Sequence, residues 1–279
     1  MDSVSPIFVI GCRRSGASLL RYILDSHERI AAPPESKFLR GLYHFIQAPE
    51  TLDGLGGLGM SRGDIIHQLG QMAGGILGAY AKRRGKQRWA DKTPSYHRIL
   101  DFIDDIFEGT PQFLFMIRHP LDNIESLYAN APYSPATPLD DDLMQAIRAF
   151  GSGRYGYAKF WTEVNERIYL FAASRSRRSL LVRYEDLVQS PDTTAARVFD
   201  FLGERHEPGI VQRAFEVTHD PSLHDRDIEA TSRVHADRIG KWNGWPSQEI
   251  GSLWLIVGPV AERLGYPNPG RPFPDSWAP

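Results

Sequence analysis

The chain of 279 residues contains a single cysteine, Cys12. One thiol excludes an internal disulfide framework and any cysteine-ligated zinc site. No run approaches the ~20 apolar residues that a membrane-spanning helix requires. Met1–Ser5 carries neither the basic nor the apolar part of a secretory signal, so the expected location is cytoplasmic. An excess of charge of one sign is missing as well: Lys+Arg 32 against Asp+Glu 34 leaves a net charge of −2. That balance argues against a broad surface for nucleic acid or anionic membrane and leaves room for a local basic pocket. With no internal repeat and no linker that splits the chain, residues 1–279 are expected to form one domain.

What is present has ordinary globular proportions, 42% hydrophobic and 24% charged residues, which excludes a disordered chain. Pro6–Gly11 (PIFVIG), Gln112–Ile117 (QFLFMI) and Ser179–Arg183 (SLLVR) are short continuous apolar runs, the pattern of strands buried on both faces. Shorter strands are expected at Ile30–Ala32 and Arg88–Asp91. Helical spacing starts at Leu19 and covers Glu35–Gln47, Asp64–Arg84 and Ser95–Phe107, the last with Ser95 as its cap. Further helices are expected from Pro120, over Leu139–Ser174 with a bend at Gly151–Gly153, over Asp192–Leu202 and over Trp245–Leu264. Gln47–Gly63 reads as a glycine-rich loop and Gly265–Pro279 as a proline-rich tail. Strands alternating with helices predict an α/β fold with a parallel sheet.

Chemistry first surfaces at Gly11-Cys12-Arg13-Arg14-Ser15-Gly16-Ala17-Ser18, which follows the first strand. The spacing is that of a Walker A loop, with Ala17 where its lysine belongs. Glycines let such a loop curl so that backbone N–H groups converge, and the helix start adds its positive dipole end. The missing lysine disfavours hydrolysis of a nucleoside triphosphate, and Arg14 is placed to supply a cation instead. A strand-to-helix turn without ligand fits this motif equally well when it is taken alone. A cysteine phosphatase loop is excluded, because Ser18 stands where Cys-x5-Arg needs arginine, so Cys12 reads as a small buried neighbour.

A second constellation follows the strand at 112–117. Arg118 leaves the carboxyl end of a parallel strand, where open α/β sheets bind ligands, and Ser126 lies two helical turns on. A guanidinium and a hydroxyl so placed can hold a phosphate together, although a surface Arg and a helix Ser fit the same letters. Glu35 follows Pro33-Pro34 at a strand end, so it is aimed into the crevice above the sheet. Its alternative is a first-turn carboxylate that complements a helix dipole.

Residues 8–37 resemble the 5′-phosphosulfate segment of sulfotransferases that use 3′-phosphoadenosine-5′-phosphosulfate (PAPS), in the branch of tyrosylprotein and many bacterial enzymes. Arg14, Ser15, Gly16, Ser18, Leu19, Leu24, Asp25 and His27 are in register with that segment. Arg13, Ala17 and Glu28 depart from it. The 118–126 run resembles the family's 3′-phosphate segment, Leu181–Leu187 its strand ending in tyrosine, and Arg238–Trp242 its late R-x-G-x-W element.

The resemblance implies a P-loop-type three-layer fold with a central parallel sheet flanked by helices. It implies that Arg13, Arg14, Ser15, Gly16, Ala17, Ser18 and Leu19 hold the phosphosulfate. Arg118 and Ser126 are then expected at the 3′-phosphate, Tyr184 at the adenosine, and Arg238 and Lys241 as further cations in a covering segment at about 219–245. Glu35 becomes the general base, with Lys92 and Arg14 stabilising the transferred group, PAP as product and no metal required.

The His219/His224 pair is expected to be solvated loop. His27, His97 and His119 are weaker candidates for a catalytic role. Two other readings are a P-loop small-molecule kinase and a non-catalytic nucleotide-binding module. The acceptor is expected to be a small molecule, a glycan or a lipid-like alcohol, with no nucleic acid partner. Residues 41–85 and 129–161 are expected to wall it, with Tyr43, Phe45, Tyr128, Tyr133, Tyr155, Tyr157 and Trp161 among the candidates.

Overall fold

A computed structural model describes residues 5–130, 142–151, 153–220, 228 and 231–270. Five parallel strands, β1 (Ile7–Gly11), β2 (Ile30–Ala31), β3 (Arg88–Lys92), β4 (Gln112–Ile117) and β5 (Ser179–Arg183), form one sheet in the order β2-β3-β1-β4-β5. Alternate residues of a strand face opposite sides. Phe8, Ile10, Phe113, Phe115 and Ile117 therefore join one core, and Ile7, Val9, Leu114 and Met116 join the other. Burial on both faces explains why β1 and β4 are apolar rather than alternating.

The first core packs against α4 (Arg62–Arg83), α5 (Leu100–Ile106), α6 (Pro120–Ala129), α8 (Arg154–Ser174) and the last helix, Ser247–Arg263. The second packs against α1 (Ala17–Asp25), α9 (Tyr184–Gln189) and α10 (Pro191–Leu202). The result is the three-layer architecture expected from the sequence. Among the described residues, no helix is long and apolar enough to cross a membrane.

Three local expectations are corrected. Residues expected as loop after Gln47 contain α3 (Pro49–Gly57), which starts on Pro49 with Glu50 in its first turn and packs Leu52 and Leu55 against the first core. Three glycines had masked that helix. The helix expected from Glu35 begins instead at Phe38, as α2 (Phe38–Gln47), because Lys37 adopts a left-handed conformation with φ of 56°. The helix expected from Ser95 is split. A 3-10 turn at Pro94–Arg98 precedes α5, and Ser95 caps neither.

The long helical stretch expected from Leu139 is two helices, α7 (Asp142–Phe150) and α8, separated where Gly151 and Gly153 adopt positive φ. Ser152, Tyr133, His224 and the tail beyond residue 270 lie outside the described residues. The chain runs β1, β2, β3 across one side of β1 and then β4, β5 across the other. A crevice accordingly opens at the carboxyl end of β1, beside the switch in strand order.

Candidate active site

The crevice holds a cleft of about 570 Å³. Its floor is the β1–α1 loop. Gly11 has no room for a side chain, since a Cβ there would lie 2.5 Å from the Met116 carbonyl oxygen. Gly16 has φ of 96°, and a Cβ there would lie 2.5 Å from the Tyr184 ring. The loop closes on itself by Ser15 N donating to Cys12 O at 3.1 Å, and Leu19 N donates to Gly16 O at 3.0 Å. Arg13, Arg14, Gly16, Ala17, Ser18 and Leu19 all line the cleft, as does the buried Cys12. Ser15 does not line it; its buried hydroxyl faces the space beside Gly11.

The second sequence constellation meets the first. Arg14 Nε donates to Ser126 Oγ at 3.2 Å. Arg118, 5% exposed, donates through Nη1 to Arg14 O at 3.0 Å and through Nη2 to Arg238 O at 2.6 Å. Its guanidinium lies 4.5 Å from the centroid of the Tyr184 ring. Arg118 Nε is buried with no hydrogen-bond partner, and burial pulls the group below its ordinary pKa. A buried cation with an unmade bond at the rim of a cleft suits an anionic ligand. Tyr184 thus stands between Gly16 and Arg118 and also lines the cleft.

Two residues within the second motif have roles that the letters alone did not reveal. Asn123 Nδ2 donates to Arg13 O at 3.0 Å. Asp122 accepts from Gly240 N at 2.9 Å and from Lys241 N at 2.8 Å, and burial pushes its carboxyl pKa up. The first turn of α6 therefore clamps both the β1–α1 loop and the late segment. Their signal was a pair of polar residues directly after Pro120-Leu121, where a first helical turn faces the crevice. Through that clamp Arg238 lines the cleft, whereas Lys241 is exposed and does not. His119 Nδ1 is buried without a partner, and its ring stacks on Trp242 at 5.2 Å. Burial first, and the Arg118 charge second, push its pKa down to about 4.

On the other side of β1, Lys92 Nζ donates to Glu35 Oε1 at 2.8 Å and to Ser18 Oγ at 3.5 Å. Lys37 Nζ lies 3.6 Å from Glu35 Oε2. Glu35 precedes α2 rather than standing in its first turn, so it serves no helix dipole there. Below the pair, the fully buried Asp91 accepts from Ser36 Oγ, Thr93 Oγ1 and Tyr96 OH. Burial raises its pKa to about 6.

Of the remaining cleft lining, Ala129, Asn130 and Leu143 lie in the stretch expected to wall the acceptor, and Ile228, Thr231, Arg233, Val234 and His235 lie in the expected covering segment, none of them named individually from sequence. Val188 lies one turn beyond Tyr184 on α9, a spacing that could have found it. Phe215, Ile228, Thr231, Arg233, Val234 and His235 come from a polar, irregular stretch with no periodic signal. Of the expected acceptor-wall aromatics, Tyr157 and Trp161 are buried in the first core, and Phe45, Tyr128 and Tyr155 are exposed. None of these, nor Tyr43, lines the cleft. His219 is not solvated. It stacks on Tyr22 at 4.1 Å, and its Nδ1 lies 2.7 Å from Asp25 Oδ2. His27 Nε2 donates to Arg205 O and its Nδ1 accepts from Arg29 N, which spends both ring nitrogens on local structure.

Five arginines and one lysine among the described lining residues face one carboxylate, Glu35. A near-neutral chain thus concentrates positive charge at one small cleft. Comparisons with known proteins agree with that chemistry. The sulfotransferase family model matches residues 6–208. Nodulation protein NoeE of Sinorhizobium fredii is 29% identical over 94% of this chain and 67% of its own length. Protein-tyrosine sulfotransferase A of Caenorhabditis elegans is 21% identical over 95% of this chain and 70% of its own. Among solved structures, the sulfotransferase domain from the curacin biosynthetic pathway has a TM-score of 0.66 at 20% identity, covering 95% of this chain and 99% of that one. The sulfotransferase domain from the Synechococcus PCC 7002 olefin synthase reaches 0.62 at 24% identity, covering 96% and 98%. The two structures speak to the fold, which is the same three-layer α/β arrangement. The family match spans most of the chain and includes the β1–α1 loop, Glu35, Lys92, Arg118, Ser126 and Tyr184: this chain belongs to the sulfotransferase family.

Proposed function

We propose that the chain acts as a single domain that moves the sulfuryl group of PAPS to a hydroxyl of an acceptor, with Glu35 as general base and PAP as product. The cleft suits such a donor on three grounds. Its volume of about 570 Å³ lies within the ordinary range of small-molecule sites. Its cations outnumber its carboxylates, and Arg118 Nε is left without a partner. When bound, PAPS supplies a sulfuryl group attached to a phosphate that can leave.

The residues then divide the work. Loop N–H groups between Arg13 and Leu19, at the start of α1, receive the phosphosulfate oxygens. Arg118 and the Arg14–Ser126 pair hold the 3′-phosphate, and Arg238 closes over it. Tyr184, Val188 and Phe215 offer flat and apolar surface to the base. Glu35 takes the acceptor's hydroxyl proton as the new O–S bond forms. Lys92 stands between Glu35 and Ser18 of the phosphate loop, where its charge offsets the charge left on the departing oxygen.

The single observation that carries this reading is the 2.8 Å Glu35–Lys92 contact in the same cleft as the glycine loop. Glu35→Gln is the test, read by transfer of labelled sulfate from PAPS and by calorimetry with PAP. Turnover should fall by about 10²–10⁴ with PAP affinity nearly unchanged. Equal loss of binding and rate would make Glu35 a structural residue and overturn the assignment.

A further inference from the structure

Helix α1 meets the cleft at its start, where Ala17, Ser18 and Leu19 line it, and grips two other parts of the site at its end. Asp25, its last residue, accepts from Ala32 N through Oδ1 at 2.8 Å. Arg21, one turn earlier, donates through Nη1 to Ala32 O at 2.9 Å. The backbone N–H and C=O of Ala32 are thus both held from α1, a few residues ahead of Glu35. Asp25 Oδ2 lies 2.7 Å from His219 Nδ1, with the two side chains 1% and 4% exposed. His219 Nε2 lies 3.1 Å from Ala214 O, and the next residue, Phe215, lines the cleft. One carboxylate at the end of α1 therefore joins the segment that leads to Glu35 with the turn that carries Phe215.

Neither partner of the His219 ring can donate. Ala214 O is a carbonyl. Burial opposes ionisation of Asp25, but the His219 hydrogen bond, the Ala32 N–H and the Lys86 charge together hold its carboxyl below the ordinary pKa. Two acceptors are satisfied together only by a ring that carries a proton on each nitrogen. A neutral ring has a single N–H and leaves one buried acceptor unmet.

Other charged groups surround the pair. Lys86 Nζ lies 3.7 Å from Asp25 Oδ1 and donates to Asp25 O and Ile30 O. Arg84 Nη2 lies 3.7 Å from Asp25 Oδ2, and the same guanidinium meets Thr218 O and Asp220. Asp220 accepts from Tyr80 OH of α4 at 2.7 Å, and Tyr22 stacks on the His219 ring. Glu207 adds a more distant negative charge toward Lys86.

We propose that Asp25 and His219 form a positioning pair for the donor, in which the doubly protonated ring ties the Phe215 turn to α1 and so sets that wall of the cleft against the β1–α1 loop. This rests on the reading of the cleft as a PAPS site. The pair touches no reacting atom and acts through the backbone on either side of it.

Asp25→Asn is the informative variant, because it inverts the requirement. Its Oδ1 still accepts Ala32 N, while its Nδ2 donates to His219 Nδ1 and leaves Nε2–H for Ala214 O. Every bond is then made with a neutral ring, whereas wild type needs the charged one. PAP calorimetry at about pH 6 and about pH 9 spans the loss of an ordinary imidazole proton. The phosphates of PAP titrate near pH 6 as well, so the reading is the ratio of variant to wild-type Kd at each pH.

For Asp25→Asn that ratio should fall by about fivefold or more from the lower pH to the higher. His219→Gln has no ring to titrate. It should bind PAP more weakly than wild type at the lower pH, with a ratio that falls less than that of Asp25→Asn. If Asp25→Asn does not fold, His219→Gln decides alone, and a ratio independent of pH overturns the proposal. Denaturant unfolding measured beside it separates a merely structural pair, which would shift the midpoint with pH and leave the Kd ratios flat. Flat ratios, or a ratio for Asp25→Asn that rises with pH, overturn this inference alone. Failure of wild type to bind PAP at either pH overturns the donor reading itself and the inference with it.

Discussion

Ser36 Oγ donates to Asp91 Oδ2 at 2.5 Å, and this contact joins the segment that carries Glu35 to the strand that carries Lys92. Asp91 also accepts from Thr93 Oγ1 at 3.0 Å and Tyr96 OH at 3.2 Å. Tyr96 OH in turn receives Leu39 N at 3.3 Å. All three side-chain donors are hydroxyls, and a carboxylate with only lone pairs to offer satisfies them together. The Glu35–Lys92 contact is thus held from below by the buried carboxylate of the residue that precedes Lys92 in β3.

Asp91→Asn should therefore lower kcat about 10- to 100-fold and leave PAP affinity within about twofold, since the amide presents a donor to hydroxyls that are already donating. The pH profile separates this from general damage. With its pKa raised to about 6, Asp91 takes up a proton as the pH falls through that value, and a protonated carboxyl must donate where it had accepted. The wild-type kcat should show an acid limb near pH 6, and Asp91→Asn should lose that limb. An unaltered limb in the variant would assign it to another group.

Arg14 and Ser126 lie 112 residues apart in sequence and share a hydrogen bond of 3.2 Å. If they grip one phosphate together, their substitutions should not add. A double-mutant cycle with Arg14→Ala, Ser126→Ala and the double variant, read by PAP calorimetry, should give a coupling of about 0.5–3 kcal/mol. Strict additivity would mean that the two act on separate parts of the ligand.

Gly16 faces two independent penalties for a side chain, a φ of 96° and the Tyr184 ring. Gly16→Ala should cost about 1–3 kcal/mol from the backbone alone. At roughly 2–4 °C per kcal/mol this is a fall in Tm of several degrees, with weakened PAP binding as the ring is displaced against Arg118. Placing Gly16→Ala on a Tyr184→Ala background removes the clash and keeps the backbone cost. A double variant as stable as Tyr184→Ala alone would show that the loop does not need glycine at this position.

The sequence was most legible where one physical demand dominates. β4 and β5 begin and end at their expected residues; β4 is buried from Phe113 to Ile117 and apolar over that whole length, whereas β5 was expected to be buried on both faces and is half-buried at every residue but Val182. The glycine loop, Arg118, Ser126 and Glu35 were expected in one crevice from residue type and strand-end spacing, and Lys92 from the family resemblance; all of them line the same cleft. Asp91, Asp122 and Asn123 were not, although each holds the site. Their partners are backbone groups or hydroxyls more than 50 residues away in most cases, and no local pattern announces such a contact. The aromatic candidates for the acceptor wall miss the cleft for the opposite reason, although Ala129, Asn130 and Leu143 of the expected stretch line it. Tyr157 and Trp161 have the size expected of a binding surface, and that same size draws them into the core of α8.

His119 tests whether the clamp around Arg118 is bought at the expense of acid stability. Its pKa falls from the usual 6.5 to about 4, burial being the larger cause and Arg118 the smaller. The native ring is neutral between those values while the unfolded ring is charged, so unfolding takes up a proton there. Stability from this group is full above pH 6.5 and is lost as the pH falls toward 4. The loss is on the order of 3 kcal/mol. Asp91 works in the opposite sense, because its raised pKa keeps a proton in the native state between about 4 and 6 and so favours folding as the pH drops. The two partly offset each other in wild-type protein. His119→Phe keeps the stack on Trp242 and removes one of them. Denaturant unfolding at pH 7 and pH 4 should show the variant gaining on wild type by about 3 kcal/mol between the two values. A difference that does not change with pH would mean that His119 takes up its proton in the native protein as readily as in the unfolded chain, and that burial does not hold the ring neutral.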